Sequence, residues 1–266
     1  MNFSRFINQF SSLRQASPLR KLTEIQAQGG DKLISFGTGA PNASCFPFES
    51  FQVKTKEGSC FNLSGDVLSQ ALQYGPTKGN PKLVEWLRGL QRRLHLHAST
   101  SSNAQDIQAS KEEQQRYQSY EILVTPGSQD GLSKIFEMVL NPGDYILMEE
   151  PSYPGTLAAL RPYNLTYLRC TGDADGMHPE SLRRQLDRNW ATRNLDCIIP
   201  KLLYLQPNFS NPTGASISLQ RRVEIMKIAK EYDLLVIEDD PYYFLRFEEN
   251  AVPSFLFYRL GCEWVW

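Results

Sequence analysis

From residue 120 onward, short apolar runs alternate with stretches whose apolar residues recur every three to four positions. The runs at 122–125, 145–148, 166–168, 202–205 and 234–237 have the length and content of buried strands. Helical spacing marks 131–140, a segment around 156–160, and then 179–190 and 219–232; Asn141-Pro142-Gly143 ends the first of these. Strands without a polar face, alternating with helices of this length, predict an α/β fold. Its sheet should be mostly parallel, with helices on both faces. Upstream, Leu83, Trp86, Leu87, Leu90 and Leu94 share one face of a helix over 83–94. Ser17-Pro18 reads as the cap and first position of a helix that runs through Leu19, Leu22 and Ile25 and stops at Gly29-Gly30. A short strand is expected at 33–36. Residues 97–119, rich in Ser, Gln, Asn and Ala, read as a surface insertion or flexible loop.

The first residues pose a separate question. Phe3, Phe6, Ile7, Phe10 and Leu13 repeat at helical spacing among Arg5, Arg14, Arg20 and Lys21, and the first carboxylate is Glu24. A basic, serine-bearing, acid-free amphipathic segment fits a mitochondrial transit peptide. It equally fits a helix that docks on the body of the protein, which would leave the chain cytoplasmic. Both readings stay open, and both can hold if the segment is retained.

Composition narrows the function classes. The 266 residues carry 28 Lys and Arg against 29 Asp and Glu, a formal charge of -1 that makes no electrostatic case for nucleic acid. No apolar run approaches a membrane span. Five scattered cysteines without CxxC spacing suggest neither a disulfide framework nor a zinc ribbon. His95 and His97 sit two apart in a polar stretch and lack the further partners a metal site needs, so no metal is expected.

Candidate chemistry lies at strand ends, where open α/β sheets bind ligands. Thr125-Pro126-Gly127-Ser128-Gln129-Asp130-Gly131 joins a strand to a helix, and its small residues and free N–H groups suit a phosphate. An ordinary cap at Ser128 explains the same residues. Gln206-Pro207-Asn208-Phe209-Ser210-Asn211-Pro212-Thr213-Gly214 follows a second strand and contains plausible turn chemistry. The third, Glu238-Asp239-Asp240-Pro241-Tyr242-Tyr243, sets three acids behind Leu-Leu-Val-Ile, and acids there are costly to bury unless partnered. The spacing Gly37-Thr38-Gly39 is no dinucleotide fingerprint, and no phosphate-loop motif of the GxxxxGK[ST] kind occurs, which ranks a nucleotide-binding protein last.

In order and spacing, these segments resemble the large domain of fold type I pyridoxal-phosphate aminotransferases. Asn42, Phe46-Pro47, Ala71-Leu72-Gln73-Tyr74, Gly127-Ser128-Gln129, Glu150-Pro151-Ser152-Tyr153, Asn211-Pro212-Thr213-Gly214 and Glu238-Asp239-Asp240-Pro241-Tyr242-Tyr243 are similar to the branch acting on kynurenine and 2-aminoadipate. So are the opening Met1-Asn2-Phe3-Ser4-Arg5-Phe6 and Ser17-Pro18-Leu19-Arg20. The resemblance runs to about residue 255 apart from the insertion at 97–119. It implies pyridoxal 5'-phosphate as cofactor, a small amino acid and a 2-oxo acid as substrates, and a homodimer in the full-length family. By the same resemblance Asp239 would keep the pyridine nitrogen protonated, while Asn211 and Tyr242 bond the phenolic oxygen and Tyr153 stacks on the ring. Ser128 and Gln129 would take the phosphate, with Tyr74 reaching the phosphate of the neighbouring subunit. Arg20 and Gly39 would line the substrate side. Ala40 departs from a larger apolar residue in that branch.

The resemblance also implies a lysine, roughly thirty residues beyond the aspartate, that forms a Schiff base with the cofactor. No residue after Lys230 is a lysine, and residues 255–266 no longer resemble the family. The expectation is therefore an incomplete, cofactor-binding large domain over 41–266, an N-terminal arm over 1–40, and no C-terminal small domain. An early stop is the simplest account. Such a chain is of aminotransferase lineage but inactive, with no catalytic residue of its own. The alternative is a non-catalytic truncated isoform that binds the cofactor or interferes with dimers.

Overall fold

The computed structural model describes residues 3–19, 22, 25, 29, 36, 39–96, 120–191, 199–247 and 252–257. They fall into two compact units: Met1–Leu13 with Trp86–Trp266, and Arg14–Glu85.

The larger unit is organised by four parallel strands: β3 (Tyr145–Glu149), β4 (Thr166–Cys170), β7 (Leu202–Leu205) and β8 (Leu235–Glu238), in the order β4-β3-β7-β8. In β3, β7 and β8 the side chains alternate between two separate cores, which is why these strands read as continuous apolar runs; β4, at the sheet edge, exposes Thr166 and Arg169. Leu147, Leu203 and Val236 face α6 (Pro179–Ala191) and α7 (Leu219–Glu231), where Leu182, Leu186, Ile225, Met226 and Ala229 are buried. Ile146, Met148, Leu202, Tyr204, Leu235 and Ile237 face the other way, onto Leu132, Phe136 and Val139 of α4 (Ser128–Val139) and Leu160 of α5 (Pro154–Leu160). Each fully buried side chain of this kind contributes about 1.5–3 kcal/mol. A two-residue antiparallel pair, β5 (Gly172–Asp173) with β6 (Gly176–Met177), closes the end of β4.

The smaller unit holds an antiparallel hairpin, β1 (Ser50–Lys54) with β2 (Cys60–Ser64), followed by α2 (Gly65–Leu72). Helix α3 spans Pro81–Leu96.

Helix and strand positions across 145–238 match the periodicity closely; three expectations do not hold. Residues 122–125 form no strand: Leu123 and Val124 are exposed, and the stretch runs irregularly into α4, which starts at Ser128 rather than Gly131. The N-terminal amphipathic helix is broken into a 3-10 turn, Phe3–Arg5, and a single α-helical turn α1, Gln9–Ser12. Asn8 interrupts it. The Asn8 side chain caps α1 at Ser11 N–H (2.7 Å) and donates to the Glu137 and Leu140 carbonyls, both at 2.7 Å. Its own N–H donates to the Met138 carbonyl at 2.9 Å. Phe6 is buried in the α4 core, whereas Phe10 and Leu13 are exposed; besides Phe6 and Asn8, the segment is held by Arg5, paired with Asp233 at 2.9 Å, by Gln9 N–H on Asn141 Oδ1 (3.3 Å) and by the Ser11 hydroxyl on the Glu137 carbonyl (3.3 Å). Residues 33–35, the loop 97–119 and Arg20 lie outside the described residues; Phe36 is exposed and not in a strand.

Candidate functional site

Parallel strands end on the same side of a sheet, and register pairs Leu205 of β7 with Glu238 of β8. The next residues, Gln206 and Asp239, are therefore neighbours by construction. Both are buried, at 5% and 7% exposure. Asp239 Oδ2 accepts from the Tyr204 hydroxyl at 2.7 Å and from Gln206 Nε2 at 3.4 Å. Tyr204 in turn receives the Thr156 hydroxyl at 3.0 Å. Among the described residues the Asp239 side chain makes no other hydrogen bond, which leaves Oδ1 uncommitted. Burial raises the Asp239 pKa above the usual carboxylate value, and donation from Tyr204 and Gln206 offsets part of that rise. The Tyr204 phenol is pushed well up, by burial first and then by the adjacent Asp239 charge.

The second segment is held as a rigid loop. Ser210 N–H donates to the Ala215 carbonyl (2.8 Å), Gly214 N–H to the Ser210 carbonyl (2.6 Å) and Ile217 N–H to the Pro207 carbonyl (2.8 Å). Phe209 sits at φ 48°, a left-handed conformation unusual for a bulky residue. The loop is anchored from behind by Arg222, a fully buried guanidinium that donates to the carbonyls of Ile217, Pro207 and Pro253 and to Asn208 Oδ1 at 2.7–3.1 Å. Asn208 then donates to Asp240 at 2.8 Å. So fixed, Asn211 takes Gln206 Oε1 as acceptor for its backbone N–H at 3.0 Å and directs its side-chain amide to the Tyr242 hydroxyl at 3.4 Å.

The third segment begins α4. Gly127, at φ 88°, is the cap residue, so Ser128 is the first helical residue rather than the cap. No side chain caps this terminus, and its leading N–H groups with the helix dipole remain suited to an anion. Gln129 donates to the Gly155 carbonyl at 3.4 Å, beside Thr156. Gly155 has no room for a side chain because the Tyr153 ring folds over it, within 2.4 Å of where a Cβ would stand.

Five of the sequence-predicted residues thus lie along one continuous set of contacts. Gln129 and Tyr153 meet at Gly155; Thr156, Tyr204, Asp239, Gln206, Asn211 and Tyr242 follow in order. Ser128 is the covalent neighbour of Gln129. Tyr74, in the smaller unit, is exposed just beyond α2, and Gly39 is exposed with open space around it. Arg20 falls outside the described residues. Thr156 and Tyr204 were not expected from sequence, and Gln206 stood only as the first residue of the second strand-end segment, with no role of its own.

Two further carboxyls end the same strands but face the opposite core. Glu149 lines a cleft of about 290 Å³ with Asp173 and Thr213, and burial, helped by Asp173, pushes its pKa up to about 7. Glu238 accepts from the Ser254 hydroxyl and from Phe255 N–H (3.1 Å), pinning residues 252–257 to the end of β8; burial likewise raises it to about 7. Among the described residues no group of three or more His, Cys, Asp or Glu could hold a metal ion, and no helix is long and apolar enough to cross a membrane.

Comparison with known proteins gives the family and the fold. Residues 69–256 match the family model for aminotransferase class I and II. The chain is 39% identical over 263 residues to the mitochondrial kynurenine/alpha-aminoadipate aminotransferase of Bos taurus, a match covering 96% of this chain and 58% of that protein. It is 32% identical over 256 residues to an aromatic amino acid aminotransferase of Dictyostelium discoideum, covering 94% and 49%. The crystal structure of an aminotransferase from Candida albicans superposes with a TM-score of 0.76 at 24% identity, over 97% of this chain and 58% of that one, and shares the fold. Pyrococcus horikoshii kynurenine aminotransferase gives a TM-score of 0.60 at 28% identity, over 96% and 56%. The chain spans less than three-fifths of the length of each of these four relatives.

Proposed function

The chain belongs to the class I and II aminotransferases, and from that premise we propose that residues 41–266 form a pyridoxal 5'-phosphate site of the kynurenine or 2-aminoadipate type, with 1–40 as an N-terminal arm. The observation that carries this reading is Asp239: a buried carboxylate with one oxygen held by Tyr204 and Gln206 and the other left uncommitted. When bound, the cofactor supplies a ring that draws off the negative charge developed at a substrate α-carbon as an amino group passes from an amino acid to a 2-oxo acid. Asp239 Oδ1 is the acceptor that would hold a proton on the ring nitrogen, and the low dielectric around it strengthens that pairing. Asn211 and Tyr242, already joined, would bond the phenolic oxygen, and the half-buried Tyr153 ring would cover one face. Ser128 and Gln129 would bind the phosphate at the uncapped start of α4. Tyr74 would reach the phosphate of a neighbouring subunit in a homodimer. Arg20 and Gly39 would border the substrate, where Arg20 could pair with a carboxylate.

None of the residues after Asp239 is a lysine, and Lys227 and Lys230 lie on α7, the helix before the Asp239 strand. These 266 residues on their own therefore hold the cofactor weakly and do not transaminate. Without a positioned base the α-proton has no catalyst, a loss of roughly 10²–10⁴-fold from acid–base catalysis alone.

Two experiments test this. Pyridoxal phosphate should show a protein-induced absorbance change that Asp239→Ala removes. Borohydride reduction and peptide mapping should yield no stoichiometric lysine adduct, and 2-aminoadipate or kynurenine with 2-oxoglutarate should not turn over. A single adduct with turnover would overturn the inactivity; no absorbance change at all would overturn the site. We further propose a mitochondrial address for the chain, supported by the acid-free first 23 residues. A fusion of residues 1–30 to a reporter should reach mitochondria and lose that address when Arg5, Arg14 and Arg20 become Glu. A reporter that stays in the cytosol rejects it.

A further inference from the structure

We infer that Gln206 is a positioning residue: its single amide group ties the carboxylate of Asp239 to the backbone of Asn211, setting the spacing between the group that would face the ring nitrogen and the group that would face the phenolic oxygen. The inference rests on the cofactor reading above and goes beyond it, because neither the family motifs nor the periodicity singles out this residue.

The orientation of the amide follows from its partners. A backbone N–H can only donate, so the atom facing Asn211 N at 3.0 Å is the carbonyl Oε1. Nε2 is then turned towards Asp239 Oδ2 at 3.4 Å. Both ends are committed, and the residue is 5% exposed, so water does not readily replace either contact. The placement is enforced by the fold. Gln206 follows directly on β7, whose register against β8 brings it level with Asp239, while the loop that returns Asn211 is closed by the Ser210–Ala215 and Pro207–Ile217 hydrogen bonds. No other residue type does both jobs. Glutamate keeps the acceptor for Asn211 but sets a second charge against Asp239; leucine loses both contacts; asparagine is one methylene too short to span them. Tyr204 holds the same Asp239 oxygen from the other side. Together the two donors leave Oδ1 as the free face of the carboxylate.

The experiment uses the full chain with Asp side chains labelled at the carboxyl carbon, so that Asp239 is titrated by NMR and pyridoxal phosphate affinity is measured on the same preparations. Q206E should raise the Asp239 midpoint by about one pH unit, from like charge and the lost donor, and weaken cofactor binding about tenfold. Q206N should weaken binding with a smaller movement of the midpoint, and it decides the matter by the same two readouts should Q206E fail to fold. A merely structural role would lower thermal stability and leave the midpoint in place. Folded Q206E and Q206N with the wild-type midpoint and affinity overturn the inference while the cofactor reading survives. Wild-type protein that ignores pyridoxal phosphate while Q206E still moves the Asp239 midpoint sinks the cofactor reading and supports the Gln206–Asp239 coupling.

Discussion

Replacing Glu238 by glutamine should change how stability depends on pH while keeping the shape of the site. The Glu238 carboxyl is buried at the end of β8; burial raises its pKa from 4.5 to about 7, against the pull of its Ser254 and Phe255 donors and the nearby Arg222 charge. Between those values the folded chain holds a proton that the unfolded chain has already released. Stability contributed by this group is therefore lost as pH rises through the window, at up to about 1.4 kcal/mol per pH unit, and levels off above pH 7. The total is on the order of 3 kcal/mol. Glu149, raised to about 7 by burial, acts in the same direction. His95 acts in the opposite one: burial lowers it to about 4, so its contribution grows with pH up to about 6.5. Both largely cancel in a difference between variant and wild type. Glutamine is neutral throughout, still accepts from Phe255 N–H, and can donate to the Ser254 oxygen. Urea unfolding at pH 5, 6, 7 and 8 should show E238Q within about 1 kcal/mol of wild type at pH 5 and more stable by about 3 kcal/mol at pH 8. Parallel curves for the two proteins would show that Glu238 is ionised in the fold at all these pH values, and the argument from burial would fail.

Tyr204→Phe removes the hydroxyl between Thr156 and Asp239 and strands the buried Thr156 donor. It should cost about 2 kcal/mol in urea unfolding and weaken pyridoxal phosphate binding; wild-type values for both would exclude the contact. Phe6→Ala should destabilise the larger unit by about 3–5 kcal/mol, whereas Phe10→Ala, at an exposed ring, should stay within about 0.5 kcal/mol. Equal effects from the two would refute the docking described for the first residues.

The strands β3, β7 and β8 were legible because burial on both faces removes polar residues from them, and a run as short and apolar as Leu202–Leu205 fits the middle of a covered parallel sheet better than any surface position. Residues 122–125 carry a similar apolar run without strand neighbours, and composition alone cannot supply a neighbour. The β1–β2 hairpin was missed although Phe51, Val53, Phe61 and Leu63 alternate in it, since a short hairpin with both strands exposed has little apolar contrast to detect. In the site, Asp239, Asn211 and Tyr242 stood out as polar groups just past apolar strands. Tyr204 did not, because inside Leu-Leu-Tyr-Leu it reads as one more core residue. Gln206 did not either, since its importance depends on register between β7 and β8, a property of two distant segments at once.

The grip of Asn8 on the far end of α4 has a consequence in time. Its partners Glu137 and Leu140 lie 129 and 132 residues further along the chain. At a synthesis rate of about 5–20 residues per second, that distance corresponds to an interval on the order of ten seconds. Throughout it Arg5 and Phe6 have no dock, and closing so large a loop carries an entropic cost once the dock arrives. A receptor that reads basic amphipathic segments would meet this one before the fold claims it. Under the mitochondrial address proposed above, these first residues would be read early and become a fitted part of the structure later.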